Sequence, residues 1–310
     1  MRNSFRLFRA QLKEHLELHK IPSNVRGVLL ILFILSVFVI VLFISSVFSK
    51  LGENTQYTVL TSSEYFYYQP ISNNASDILF KNYTLDNGCT DVYDEVHTED
   101  AVLDLSKGSQ ISITRYADSV IHLVIVAAKD SSSVGELDYE TLPDCVQIKV
   151  MLDHSYPVFS MNLIGEVRLG QELTDASDGY FPLLINGEIG ITDISVLTRS
   201  PYQLIPYELT KGNYVYFENT MSPVKGLLRA TYNQSAIDGV FSFQGGSAYV
   251  QKYRTRAEKV EVSVFNRISS DSELAILLST LIIAMQFFAF LISFLLKLKF
   301  IENKTEPGND

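Results

Sequence analysis

LAILLSTLIIAMQFFAFLISFLL, residues 274–296, is a 23-residue run without an ionisable side chain. VLLILFILSVFVIVLFISSVF, residues 28–48, is a second such run of 21. A hydrocarbon core of about 30 Å needs roughly 20 helical residues to cross it. Each run is therefore expected to span once, which makes the chain an integral membrane protein. The expected division is a cytoplasmic basic amphipathic segment (1–27), a first transmembrane helix (28–48), one exported domain (49–272), a second transmembrane helix (273–296) and a cytoplasmic tail (297–310).

The charges set the orientation. Arg2, Arg6, Arg9, Lys13, Lys20 and Arg26 precede the first run, and Lys297 and Lys299 follow the second. Basic residues beside a span stay on the cytoplasmic side, so both termini are expected inside and the domain outside, periplasmic or extracellular. Residues 51–272 hold 15 Lys and Arg against 29 Asp and Glu, a balance of −14 that accounts for the net −10 of the chain. That acidity argues against a nucleic-acid partner. A cleaved signal peptide would have a shorter apolar core ending at a small-x-small site, so the first run reads as an uncleaved anchor, with Ser45-Ser46 keeping cleavage open.

Cys89 and Cys145 are the only cysteines, and both fall in the exported segment. An isolated pair in an oxidising compartment is expected to bridge; two separate buried thiols are the alternative. Three Asn-x-Ser/Thr triplets, at Asn74, Asn82 and Asn233, do not decide the kingdom. So few cysteines in a domain of this size lean towards a bacterial inner membrane.

Between the spans the chain reads as mainly β. Ile111–Thr114 and Cys145–Val150 alternate, Val120–Ala128 is nearly continuous and apolar, and further short pieces recur at Asn162–Leu169, Leu183–Ile191, Asn213–Glu218, Gly226–Tyr232 and Gly239–Phe243. Short strands separated by Gly, Asn, Asp and Pro point to an antiparallel sandwich or barrel. Two similar pieces, Leu163–Val167 and Ile185–Ile189, read as related hairpin arms. A long last strand, from Ala248 to about Phe265, is expected to run straight into the second span, with Ser270 and Glu273 forming a capping box.

Phe5, Phe8, Leu12 and Leu16 recur at helical spacing beside the row Arg2, Arg6, Arg9 and Lys13. Such a helix is suited to the inner leaflet, its cations on anionic lipid; a solvated or partner-bound helix is the alternative. In the second span, Ala275, Ser279, Ile282, Gln286, Ala289 and Ser293 share one helical face. Small residues let helices approach and a mid-membrane amide seeks a partner, so this face reads as a packing surface for a homo-oligomer or another membrane protein. A pore seam is the sharper alternative.

Other clusters carry less. The acidic stretch Asp86–Asp104 lacks the order of a calcium loop and reads as solvated. Tyr65-Phe66-Tyr67-Tyr68 reads as strand packing or a ligand grip, and His122 as a core residue. No zinc-protease motif, nucleophile elbow, phosphate loop or other cofactor motif occurs. The expectation is a non-enzymatic two-pass protein whose exported domain binds a partner or ligand, as an accessory, assembly or sensing subunit. A pore-forming subunit is the runner-up. The residues do not name the external ligand.

Overall fold

The computed structural model describes residues 23–52, 54–73, 77–115, 119–171, 182–252 and 255–302. The chain divides into two compact units, residues 1–51 and 52–310. The first contains helix α1, Ser23–Lys50. The second contains 19 described strands and two helices, α2 (Val264–Ser270) and α3 (Ser272–Glu302).

The strands run β1 (Gln56–Ser63), β2 (Tyr65–Pro70), β3 (Asp77–Phe80), β4 (Tyr83–Asn87), β5 (Ala101–Leu105), β6 (Gln110–Arg115) and β7 (Val120–Val126). Then come β8 (Gly135–Leu137), β9 (Glu140–Thr141), β10 (Cys145–Met151), β11 (Val158–Leu169), β12 (Leu184–Ile194), β13 (Pro201–Gln203) and β14 (Tyr207–Leu209). The last are β15 (Tyr214–Glu218), β16 (Val224–Thr231), β17 (Ile237–Gln244), β18 (Ser247–Gln251) and β19 (Glu258–Lys259). Fifteen form one sheet, whose main path is β13-β12-β1-β17-β16-β11-β2-β6-β7-β10-β4. The other four form a small sheet, β3-β5-β8-β9. Every pairing among them is antiparallel, as the short, turn-separated strands led one to expect.

Period-2 patterning explains the faces. β7 and β10 alternate buried and half-buried residues, with Ile121, Leu123 and Ile125 facing the interior with Val146, Ile148 and Val150. The small sheet contributes Ile78, Phe80 and Leu103 to the same core as Phe159, Leu163 and Phe241 of the large one, so two layers share one interior. Leu163–Val167 and Ile185–Ile189 lie on β11 and β12, which are not neighbours; each pairs with a different strand of the β1–β2 segment. Their shared feature is Gly165 and Gly187, where a Cβ would collide with a carbonyl of the adjoining strand, Gln69 in one case and Leu60 in the other.

Among the described residues one helix is long and apolar enough to cross a bilayer, Ser272–Phe290, and it is almost wholly exposed. The described apolar part of α1, Ile34–Lys50, is shorter.

Three expectations need correction. The last strand is not continuous: β18 ends at Gln251, Thr255 N–H donates to the Lys252 carbonyl (3.0 Å) to close a turn, β19 returns, and the chain then coils into α2. Cross-strand hydrogen bonding of β18 to both β15 and β19 outweighs the alternation that suggested one long strand. The cap of α3 is Asp271, whose Oδ1 accepts from Leu274 N–H at 3.0 Å, while Ser270 belongs to α2. The acidic stretch is not uniformly solvated either. Asp86 is buried and accepts from Thr90 Oγ1 (3.0 Å) and Asp91 N–H (2.7 Å), which orders the turn that carries Cys89.

Candidate functional site

The most unusual polar assembly lies where the sheet meets α2. Ser263 caps this short helix, accepting from Asn266 N–H at 3.1 Å, and Arg267 follows one turn later. From there the Arg267 guanidinium enters the sheet and donates from Nη1 to Asp193 Oδ2 and to Thr55 Oγ1 (3.2 Å). The Asp193 side chain is only 2% exposed and that of Arg267 13%, so this is a buried ion pair.

Each neighbour is fixed by the sheet. Asp193 lies near the end of β12, where its Oδ1 accepts from Ile194 N–H at 2.9 Å. Tyr202, opposite it on β13, donates its hydroxyl to Asp193 Oδ2 at 3.4 Å. Burial first, then the nearby Asp193 and Asp271 carboxylates, push the Tyr202 phenol well above its ordinary pKa, so it stays a donor. Thr55 in turn donates to the Gly52 carbonyl at 3.0 Å. Gly52 has φ +85°, and a Cβ there would sit 3.0 Å from the guanidinium carbon; backbone conformation and close approach both require glycine.

Asp271 closes the assembly. Its N–H donates to the Arg267 carbonyl at 3.1 Å, ending α2, and its side chain starts α3. It is buried, and its Oδ2 has no hydrogen-bond partner among the described residues. A cavity of about 350 Å³ opens beside the ion pair, lined by Thr55, Tyr57, Met221, Lys259, Val262 and Arg267 among others.

A second assembly crosses the exposed face of the large sheet. Lys259, Tyr249, Tyr216, Arg168, Tyr67 and Ser112 stand opposite one another on successive strands. Tyr216 and Tyr249 stack at 5.1 Å with planes 7° apart, and the Arg168 guanidinium carbon lies 4.9 Å from the Tyr67 ring centroid while its Nη2 holds Glu166 at 2.6 Å. Cross-strand ring and cation–π contacts of this kind stiffen a sheet and leave a polar, aromatic surface outside. Of the aromatic run, Phe66 and Tyr68 point into the core and Tyr65 and Tyr67 belong to this face.

The other residues singled out in the sequence lie as follows. Cys89 and Cys145 are joined in a disulfide, with Cα atoms 5.7 Å apart. Ala275, Ser279, Gln286 and Ala289 are on α3; Ser279 Oγ donates to the Ala275 carbonyl of its own helix at 2.7 Å, and Gln286 is exposed. Ser293 is also on α3, with its side chain outside the described residues, as are Arg2, Arg6, Arg9 and Lys13 altogether. His122 is half-buried on β7, opposite Lys149. Among the described residues no three His, Cys, Asp or Glu converge on a possible metal position.

Sequence reading missed Asp193 and Arg267 because their pairing spans 74 residues and neither sits in a motif. The local clue was Ser263 at capping distance from Asn266, which marks a helix where alternation suggested strand. It also missed Arg115, wholly buried at the end of β6, whose Nη2 donates to the Thr231 carbonyl at 2.7 Å. No family model matches the chain, and neither curated proteins nor solved structures include a significant match to it.

Proposed function

We propose that the chain is a non-enzymatic two-pass membrane protein, with both termini cytoplasmic and its β domain exported, in a bacterial inner membrane. The domain binds a partner or ligand outside and acts as an accessory, assembly or sensing subunit of an envelope complex. The observation that carries this reading is the buried Asp193–Arg267 pair, which ties β12 to the helix leading into α3. Two charges removed from water hold each other in one geometry, because separating them strands each without its counter-ion. A rigid joint of this kind lets an event on the sheet reach the apolar helix, where a flexible linker would absorb it.

The tyrosine and arginine face supplies a surface for the outer contact, and the exposed Gln286 amide supplies a reason for α3 to associate with another helix. Blue-native electrophoresis of the detergent-extracted protein tests the association. The wild type is expected above the monomer position and Gln286→Leu at it. A lone monomer in both cases, in mild detergent, would remove the subunit reading.

A further inference from the structure

We infer that the end of the β domain next to α3 carries an apolar collar, built from Phe265, Val264, Met221 and Ile194, that dips into the interfacial layer of the bilayer. The inference rests on the membrane-anchored reading above and adds a second, shallower contact to it. Phe265 is 76% exposed and Met221 75%, with Val264 and Ile194 also open to solvent, in a domain whose other large apolar residues mostly fill the core.

These four residues gather at one end of the sheet. Met221 shares the wall of the cavity with Val262 and Arg267. Ile194 follows Asp193, the partner of Arg267, and its amide is held by that carboxylate. Val264 and Phe265 open α2 and are both exposed there, while Arg267 of the same helix is turned into the sheet. The Arg267 pair thus orients α2 as well as anchoring it.

Continuity with α3 decides which occupant covers the collar. Phe265 precedes Ser272, the first residue of the apolar helix, by seven positions, at most about 14 Å of chain with five steps in α2 and an extended Asp271 between the helices. Once α3 enters hydrocarbon, α2 therefore lies within the layer where headgroups give way to acyl chains. Amphipathic segments with Phe and aliphatic side chains on one face settle in that layer to a depth of about 5–10 Å.

The chain contains no tryptophan, so a single introduced one reports alone. Full-length Phe265→Trp, Met221→Trp, Tyr139→Trp and Phe287→Trp variants would be reconstituted into phosphatidylcholine vesicles brominated either near the carbonyls or deep in the chains. Phe265→Trp and Met221→Trp are expected to emit at shorter wavelength and to lose most of their emission to shallow bromines. Tyr139→Trp, at a position 94% exposed, is expected to be quenched by neither lipid, and Phe287→Trp by the deep one. Quenching of Phe287→Trp without quenching at positions 265 and 221 overturns the collar and leaves the anchor standing. A blue-shifted but unquenched Phe265→Trp whose emission depends on protein-to-lipid ratio also overturns it, in favour of contact between copies. An unquenched Phe287→Trp overturns the anchoring reading, and the collar with it.

Discussion

Arg267 reaches back 74 residues to Asp193, and the two form a buried ion pair between a helix that sequence reading missed and the end of a strand it found. Breaking such a pair from one side leaves an uncompensated buried charge and costs about 3–5 kcal/mol. Asp193→Leu and Arg267→Leu are each expected to lower the melting temperature by roughly 10 °C, at about 2–4 °C per kcal/mol for a domain of this size. The double variant is expected to recover most of the loss, since neither charge is then stranded. Thermal unfolding of the four proteins checks this; additive losses would show that the two charges are not coupled.

His122 gives a pH dependence. Burial first, and the neighbouring Lys149 second, hold its pKa below the ordinary 6.5, so the folded protein disfavours the imidazolium. The unfolded chain binds the proton more readily as pH falls through 6.5, and stability is lost from there down to the folded value. His122→Gln is expected to flatten the denaturation midpoint below pH 6.5 and to leave it unchanged at pH 8. An unaltered acid limb would assign the loss to other groups.

The disulfide closes a separation of 56 residues and pins the turn after β4 to the start of β10. Chain-entropy models give such a loop about 4 kcal/mol. The Cys89→Ser, Cys145→Ser double variant is expected to unfold at a clearly lower temperature and to expose β4, the last strand on the main path of the large sheet, to proteolysis first. Limited proteolysis with mass mapping reads the order of cleavage, and first cuts elsewhere would contradict it.

Phe241 lies across two glycines. A Cβ at Gly239 would fall 2.6 Å from its ring, and one at Gly226 would meet the same ring from the strand opposite. Phe241 is fully buried and touches Phe66, so it has little room to move. Gly239→Ala is expected to cost about 1–3 kcal/mol by overpacking, and pairing it with Phe241→Leu to recover part. Denaturant titration checks both; a neutral Gly239→Ala would mean that the ring yields freely.

Much of the sheet was legible because burial imposes a period of two. Val120–Val126 and Cys145–Met151 each keep one face in the core, so alternation or continuity of apolar residues marks them locally. The joint was not legible in the same way. Asp193 looks like any polar residue ending a strand, and Arg267 like any cation ahead of an apolar helix, until the fold brings them together. The long last strand was misread for a related reason: β18 stops at Gln251 and is paired by β15 and β19, and which strands pair is set by the fold and not by local sequence. The cap at Asp271 was displaced by one residue from the motif at Ser270, since Asp and Ser compete for the same role and only packing chooses between them.

The topology is tested most directly by thiol labelling, because both native cysteines are engaged in the disulfide. A membrane-impermeant maleimide added to intact spheroplasts is expected to label Tyr139→Cys at once and Ser4→Cys only after permeabilisation. Labelling of Ser4→Cys in sealed spheroplasts, with Tyr139→Cys protected, would place the β domain inside and contradict the exported reading.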